Sequence, residues 1–281
     1  MCHPTDAHPP LPPIRGGAVD ARELILSSAD GTALAAYLAR AAAFGGPGIV
    51  IIPDVRGLHP FYEELARRLA EAGVHAVAID LYARTAGPGR RGADFDYMPH
   101  VSQTRQETIA ADVAAAADVL RAADGGAAER VYTMGFCFGG RASFLQAGEE
   151  HGLDGVIGFY GPPTGPNRAG LPEPVDRAPH FTCPVLGLFG EADASIPPDS
   201  IAAFDAALEA AGLEHRLITY PGAPHSFFDR SATEHAKAAA DAWRQVLGFV
   251  GIPLAETPDQ APAVVCSAGR GVSSAGRAGR R

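Results

Sequence analysis

The sequence changes from a strand pattern to a helix pattern within Val131-Tyr132-Thr133-Met134-Gly135-Phe136-Cys137-Phe138-Gly139-Gly140-Arg141-Ala142. A short apolar run rich in strand-forming residues stops at a glycine, and a helix-compatible segment begins after two further glycines. Gly-x-Cys-x-Gly between a strand and a helix is the pattern of a nucleophile elbow, with cysteine where serine usually stands. This turn is so tight that side chains at the glycine positions would collide with the neighbouring strand and helix. The stretch therefore predicts a strained turn that carries Cys137.

The predicted position of Cys137 bears on its chemistry. At the N-terminus of the following helix, unpaired N–H groups and the helix dipole favour a thiolate and a developing oxyanion. A buried structural cysteine in a glycine-rich turn is the alternative interpretation of the same residues. The rest of the sequence has to separate the two.

Composition limits the classes of function. The chain has 281 residues, 47% of them hydrophobic, which allows a substantial core in one or two domains. A formal net charge of -9 argues against a nucleic-acid surface on the main body. The sequence has no run of about 18 apolar residues, so no membrane-spanning helix is predicted. The segment from Met1 onward is polar and rich in proline, unlike a signal peptide.

Cysteine usage agrees with a reducing compartment. The chain has four cysteines, without a C-x-x-C pair or regular spacing: Cys2, Cys137, Cys183 and Cys266. Neither a disulfide framework nor a zinc site is predicted, and the histidines show no metal-ligand spacing. We therefore expect a cytoplasmic protein without a bound metal.

Strand and helix patterns alternate along the chain. A hairpin around Asp30-Gly31 comes first, and Gly48–Pro53 is the continuous apolar run of a strand buried on both faces. Further predicted strands are 74–80, 130–134, 156–160, 185–190 and 214–220, and predicted helices include 61–72, 103–123, 200–211 and 236–250. This alternation predicts a doubly wound, mostly parallel sheet with helices on both faces.

The predicted domain organisation follows from where this alternation begins and ends. Residues 19–251 are predicted to form a single domain, because no change in composition interrupts them. Residues 1–18 are predicted to be a disordered or loosely docked arm, and 252–281 a disordered tail. The long proline-rich connection 161–183 is predicted to form part of a lid or pocket wall.

Several polar residues directly follow predicted strands. In open α/β sheets, chemistry collects at the carboxyl ends of the strands, so we expect these residues to lie at one edge. They are Asp54, Asp80, Cys137, Glu191, Asp193 and His225. The order nucleophile, acid, histidine is the chain order of α/β-hydrolases. Asp193 is the predicted acid, and Glu191 is the alternative.

Each member of this set has a chemical role. Cys137 would attack a carbonyl carbon, and His225 would carry the proton and then activate water. Asp193 would fix the tautomer of the imidazole and stabilise its cation. The backbone N–H groups of Phe138 and Val55 would hold the oxyanion, an effect of roughly 3–4 kcal/mol per donor.

Three motifs together resemble the dienelactone hydrolase family. They are Gly135-Phe136-Cys137-Phe138-Gly139-Gly140, Asp80-Leu81-Tyr82-Ala83-Arg84 and Pro224-His225-Ser226-Phe227-Phe228. The resemblance covers roughly residues 20–250 and implies an α/β-hydrolase fold with a Cys-His-Asp triad and no cofactor. Cys137, Asp193 and His225 match that triad. Arg84 matches an arginine that binds the substrate carboxylate, with Tyr82 beside it, and a guanidinium fork suits a carboxylate.

Two positions depart from the pattern of the family. Asp54 stands where the family has a glutamate that helps to generate the thiolate, and it is one methylene shorter. Asp229 stands where the family has a second carboxylate-binding arginine, and Arg230 follows it. An acid at this position repels a carboxylate unless Arg230 takes over. Asp54 and Arg230 are therefore candidate site residues.

We expect a hydrolase of carboxylic esters or lactones that acts through a thioester on a small, anionic substrate. No nucleic-acid or membrane partner is expected, and the chain is expected to be a monomer or a small homo-oligomer. One alternative is a broader esterase or acyl-transfer activity on the same triad. Another is a non-catalytic binding or thiol-redox protein, which would need neither Asp193 nor His225 at strand ends.

Overall fold

One sheet organises this computed structural model, which describes residues 8–11, 20–253 and 264–266. In that part of the chain its strands are β1 (Asp20–Ser27), β2 (Ala33–Arg40), β3 (Pro47–Ile52), β4 (His75–Ile79), β5 (Arg130–Phe136), β6 (Gly155–Phe159), β7 (Val185–Gly190), β8 (His215–Tyr220) and β9 (Val264–Cys266). Their order is β1-β2-β4-β3-β5-β6-β7-β8-β9. The strands from β4 to β8 in this order run parallel, whereas β1, β2 and β9 are antiparallel to their neighbours.

Helices connect the parallel strands. They are α1 (Pro60–Glu71), α2 (Ala83–Ala86), α3 (Met98–Val101), α4 (Gln106–Arg121), α5 (Phe138–Gln146), α6 (Pro174–Arg177), α7 (Pro198–Ala210) and α8 (Ala236–Phe249). Short 3-10 turns lie at Ala123–Gly125 and Ala178–His180. None of the helices in the described ranges is long and apolar enough to cross a membrane.

The core lies on both faces of the sheet, because successive side chains of a strand point to opposite sides. In β3, Ile49 and Ile51 pack in a cluster with residues of α1, α7 and α8. Val50 and Ile52, on the other face, pack with residues of α4. A strand covered on both faces has no polar side to expose, which explains the continuous apolar run. The predicted doubly wound, mostly parallel sheet with helices on both faces is confirmed.

The structure differs from the sequence prediction at a few connections. The predicted loop after β4 contains α2 and α3, and the proline-rich connection contains α6. Residues 264–266, within the predicted disordered tail, pair with β8 as strand β9. In the N-terminal arm, Leu11 packs against the core. The predictions for 1–7, 12–19, 254–263 and 267–281 fall outside the described residues.

Candidate active site

The elbow lies where β5 ends and α5 begins. Cys137 is the N-cap of α5, with φ 55° and ψ -115°, in the left-handed region that is strained for a residue with a side chain. A Cβ atom at Gly135 would lie 1.9 Å from the carbonyl oxygen of Gly139, and one at Gly139 would lie 2.2 Å from that of Pro53. Both glycines are therefore required by close backbone approach. The backbone N–H of Cys137 donates to the carbonyl of Phe159 at 3.0 Å, which anchors the turn to β6.

The structure brings His225 and Asp193 to the same edge as Cys137. Nδ1 of His225 lies 2.6 Å from Oδ2 of Asp193. The Cys137 side chain interacts with the same ring and raises its pKa. The other carboxylate oxygen of Asp193 accepts from the backbone N–H and the hydroxyl of Ser195, at 2.9 and 2.6 Å. Asp193 is buried and Cys137 is half-buried. The carboxylate is thus fixed on one side by its own loop and on the other by the imidazole.

These contacts set the charge of the imidazole. Burial disfavours the charged ring, but the interactions with the Asp193 carboxylate and the Cys137 side chain outweigh it and raise the pKa of His225 to about 10. For Asp193, burial acts in the raising direction, but its hydrogen bonds with His225 and Ser195 prevail and hold its pKa below the usual value. His225 therefore keeps a proton at neutral pH while its Nδ1 is held by the Asp193 carboxylate.

Glu191, the alternative acid, has a different partner. Its carboxylate accepts from the backbone N–H of Gly222 at 2.8 Å and is exposed to solvent. The contact with the imidazole is made by Asp193, two residues further along the loop after β7.

The two backbone N–H groups predicted to form the oxyanion hole belong to Phe138 and Val55. Phe138 is the first residue of α5, so its N–H has no acceptor within the helix. Val55 lies in the turn that follows β3, beside β5 in the sheet. Among the described residues, neither N–H has a hydrogen-bond acceptor. Unpaired donors at a helix N-terminus and an adjacent turn match the requirements of an oxyanion hole.

Asp54 is part of a buried ion pair. Its carboxylate accepts from the Arg56 guanidinium, with Oδ2 at 2.9 Å and Oδ1 at 3.2 Å. The same guanidinium lies 2.8 Å from Nε2 of His59. Sequence analysis missed Arg56, because nothing in the pattern Asp-Val-Arg-Gly shows that the arginine folds back onto the acid two residues earlier.

Tyr82 and Asp80 connect the loop after β4 to the turn after β3. The hydroxyl of Tyr82 donates to the carbonyl of Val55 at 2.5 Å. The carboxylate of Asp80 accepts from Arg91 at 3.0 and 2.6 Å and from the backbone N–H of Leu58 at 3.3 Å. Tyr82 thus contacts a residue proposed for the oxyanion hole, which is a different contact from the predicted one with substrate.

The side chain of Arg84 contacts α4 and the hairpin turn. Its guanidinium donates to the buried carboxylate of Asp112 on α4, at 2.7 and 2.9 Å, and to Asp30 in the hairpin turn at 2.7 Å. A further donor bonds the hydroxyl of Ser28 at 3.0 Å. The predicted role of Arg84 in binding a substrate carboxylate stays a prediction, and these contacts give the guanidinium a structural task.

The loop that carries His225 continues into Asp229 and Arg230. Asp229 is buried and accepts from the hydroxyl of Tyr160 at 2.7 Å, and the Tyr160 ring packs against the His225 ring with centroids 4.9 Å apart. Burial, together with the charge of Asp229, raises the pKa of Tyr160, so its hydroxyl stays a donor. Arg230 is exposed. Sequence analysis missed Tyr160, because it was predicted as the last residue of strand 156–160; in the structure it directly follows β6 and has a positive φ of 38°.

Arg141 attaches the proline-rich connection to the elbow helix. It is only 1% exposed, and its guanidinium donates to four backbone carbonyls: Pro172, Thr164, Gly165 and Leu171, at 2.7–3.4 Å. The connection is therefore fastened one helical turn after Cys137. As for metals, no group of three or more His, Cys, Asp or Glu side chains in the described ranges is arranged to hold an ion.

Comparison with known proteins shows which family the chain resembles. The family model described as "Dienelactone hydrolase family" matches residues 34–252. The chain is 33% identical over 253 residues to a Salmonella typhimurium protein named "Putative carboxymethylenebutenolidase", covering 87% of this chain and 90% of that one. A Bradyrhizobium protein named "Probable 2-oxo-3-(5-oxofuran-2-ylidene)propanoate lactonase" is 28% identical, covering 79% of this chain and 90% of that one.

Solved structures give the same result. A crystal structure described as a "Putative Dienelactone Hydrolase" from Klebsiella pneumoniae superposes with a TM-score of 0.74 at 32% identity, covering 83% of this chain and 98% of that one. An acylaminoacyl peptidase from Pyrococcus horikoshii, at 16% identity and a TM-score of 0.68, shares the fold over 87% of this chain and 44% of its own. The predicted α/β-hydrolase fold is confirmed.

Proposed function

The chain belongs to the dienelactone hydrolase family, and we propose that it hydrolyses a carboxylic ester or lactone through Cys137, His225 and Asp193. Relatives whose names are carboxymethylenebutenolidase and lactonase support this reaction class, since both names describe hydrolysis of an ester bond. The observation that carries the proposal is the 2.6 Å contact of the His225 imidazole with Oδ2 of Asp193, together with the effect of the Cys137 side chain on the pKa of the same ring. The proposed nucleophile, the imidazole that carries the proton and the acid that orients the imidazole are therefore arranged one after another in space.

The first half of the proposed reaction forms a thioester. With the proton on His225, the sulfur attacks the carbonyl carbon as a thiolate, and the carbonyl electron pair moves to oxygen. The N–H groups of Phe138 and Val55 stabilise that oxyanion. When the tetrahedral intermediate collapses, the C–O bond to the alcohol breaks, and the imidazolium gives its proton to the leaving oxygen.

The second half releases the acid. In the thioester the sulfur carries no charge, so one of the interactions that raise the pKa of His225 is gone. The neutral ring then takes a proton from water as the water attacks the thioester carbon. Collapse of this second intermediate breaks the C–S bond and restores the thiolate beside the imidazolium. Asp193 holds Nδ1 throughout, so that Nε2 faces the reacting atoms.

A small, anionic substrate is the finer part of the proposal, and Arg230 supports it. Arg230 is exposed and lies five residues after His225, on the loop that carries the imidazole. Arg84 does not support it, because its guanidinium donates to Asp112 and Asp30. We propose Arg230, from its exposure and its place on the loop of His225, as the cation that attracts a carboxylate.

The triad is tested by alanine variants on a chromogenic short-chain ester. Cys137→Ala and His225→Ala are each expected to abolish turnover, and wild-type protein quenched during turnover is expected to carry the acyl mass on Cys137. Cys183→Ala is the matched control, because burial raises the pKa of this thiol to about 12 and keeps it protonated. Full activity of Cys137→Ala or His225→Ala would refute the triad.

Substrate charge is tested on two esters of equal size, one neutral and one carrying a carboxylate. Arg230→Ala is expected to lower kcat/KM on the anionic ester about tenfold, as loss of a charge-assisted hydrogen bond does, with little change on the neutral one. Arg84→Ala serves as the comparison and is expected to affect both esters alike. Equal kinetics of Arg230→Ala on the two esters would contradict the assignment of Arg230.

A further inference from the structure

Three backbone N–H groups in the turn after β3 donate hydrogen bonds. The backbone N–H of Asp54 donates to the hydroxyl of Tyr62 at 2.9 Å. The N–H of Arg56 donates to the carboxylate of Asp54 at 2.8 Å, and that of Gly57 to the carbonyl of Asp54 at 3.1 Å. Between them stands the N–H of Val55, which has no acceptor in the described part of the chain. The neighbouring groups are fixed, and the one that is left over is the proposed oxyanion donor.

The peptide that joins Val55 to Arg56 is fixed at both of its polar atoms. The hydroxyl of Tyr82 donates to its carbonyl oxygen at 2.5 Å, and the carboxylate of Asp54 accepts from its N–H at 2.8 Å. A peptide group is planar, so two hydrogen bonds from opposite sides define the orientation of the plane. The preceding peptide is fixed by its own carbonyl, which accepts from Gly57. The Val55 N–H belongs to this preceding peptide. Its direction is therefore set by the two fixed peptide groups, the one before Val55 and the one after it.

Tyr82 is itself held in place before any ligand arrives. It is 1% exposed, and its backbone N–H donates to Oδ2 of Asp80 at 2.9 Å. Asp80 is completely buried and paired with Arg91. The ring of Tyr82 packs on the ring of Phe95, with their centroids 5.7 Å apart. A hydroxyl on so fixed a ring reaches Val55 with little loss of conformational entropy, as a preorganised site requires.

We infer that Tyr82 is a positioning residue of the oxyanion hole: its hydroxyl fixes the peptide after Val55 and so aims the Val55 N–H. This inference rests on the proposed function. It changes the role that the sequence motif implied for Tyr82, from contact with the substrate to contact with the backbone that contacts the oxyanion. The nearly complete burial of Tyr82 agrees with the second role.

Tyr82→Phe removes the hydroxyl and leaves the ring. Loss of a whole oxyanion donor costs about 100- to 1,000-fold in kcat. A donor that is present but poorly aimed costs less, and we expect about a tenfold fall in kcat with KM changed less than twofold. Affinity is measured for two inhibitors of the substrate's shape. The Cys137 sulfur adds to the carbonyl carbon of a trifluoromethyl ketone, which places a charged oxygen in the oxyanion hole. The corresponding ether has no carbonyl and cannot form this adduct.

The inference predicts that Tyr82→Phe weakens the trifluoromethyl ketone about tenfold and leaves the ether unchanged. Inhibition constants do not depend on the folded fraction, so partial unfolding does not imitate this result. Tyr37→Phe is the matched control, because the buried Tyr37 hydroxyl has no hydrogen-bond partner in the described structure, and it is expected to match the wild type.

Three results would overturn the inference. Wild-type kcat and ketone affinity in Tyr82→Phe would show that the hydroxyl does not aim the donor. Equal weakening of the ketone and the ether would show contact with the substrate. If the wild-type protein hydrolyses no ester or lactone, the proposed function fails and the inference fails with it. If the wild-type protein is active and only the Tyr82→Phe results differ from those expected, the inference alone fails.

Discussion

Replacing Asp193 by asparagine is predicted to remove a pH-dependent part of the protein's stability. The pKa of His225 is about 10 in the folded chain, against 6.5 for an ordinary imidazole. A rise of this size corresponds to about 5 kcal/mol of proton affinity. Burial works against the rise, and Asp193 and Cys137 both produce it. Assigning roughly half of the net effect to Asp193 gives about 2 kcal/mol of folding free energy.

The direction of the pH dependence follows from the sign of the shift. Because the pKa of His225 is higher in the folded than in the unfolded chain, the stabilisation is fully present below about pH 6.5. It is lost as the pH rises through about 10. Asparagine keeps an oxygen for Ser195 but carries no charge to hold the imidazolium. The difference in unfolding free energy between wild type and Asp193→Asn should therefore be about 2 kcal/mol larger at pH 6 than at pH 10.

The assay is urea denaturation followed by circular dichroism at several pH values from 6 to 10. Subtracting the variant from the wild type cancels the titration of groups that the substitution does not touch. Asp205→Asn is the control, since it breaks another carboxylate–histidine pair, with His215 at 3.1 Å, away from the triad. A wild-type minus Asp193→Asn difference that stays constant from pH 6 to pH 10 would refute the reasoning.

Three further substitutions test the scaffold around the site. Gly135→Ala is expected to prevent folding, seen as insoluble expression, because the new Cβ would lie 1.9 Å from the Gly139 carbonyl oxygen; a soluble variant with a wild-type melting temperature would contradict this. Arg141→Met is expected to lower the unfolding free energy in urea by about 3 kcal/mol or more, since the hydrogen bonds of a buried guanidinium to four backbone carbonyls are lost. Arg84→Ala is expected to cost about 3–5 kcal/mol, because it leaves the buried Asp112 without its counter-charge. For either arginine, a urea midpoint equal to that of the wild type would show that the contacts contribute nothing.

The convergence of the triad was predictable because it follows from backbone topology. Cys137, Asp193 and His225 each follow a strand, and β5, β7 and β8 run parallel in one sheet. Parallel strands deliver their carboxyl ends to one edge, whatever the side chains between them do. The period of the apolar pattern was enough to locate those strands, and with them the edge of the sheet near which the three residues lie.

Side-chain partners were not predictable, since they depend on distances that no local pattern encodes. Glu191 and Asp193 follow the same strand, two residues apart, and only the path of the loop decides which carboxylate reaches the imidazole. Arg84 lies in a motif shared with a family, but its guanidinium reaches α4 and the hairpin turn instead. The position of Arg84 in the motif therefore did not indicate which side chains its guanidinium contacts.

Buried arginines explain how polar loops become ordered around this site. The loop after β4 and the connection 161–183 are rich in glycine and proline, and each adds some buried apolar side chains to the core, Tyr82 in the first and Leu171 in the second. Arg91 fastens the first to the fully buried Asp80, and Arg141 fastens the second to the elbow helix through backbone carbonyls. A buried cation without partners is strongly disfavoured, so each arginine is stable only when its loop is in place. The loops that surround the reacting atoms are therefore ordered by the same elements that carry Cys137 and Tyr82, so a change in either arginine is also a change in the geometry of the site.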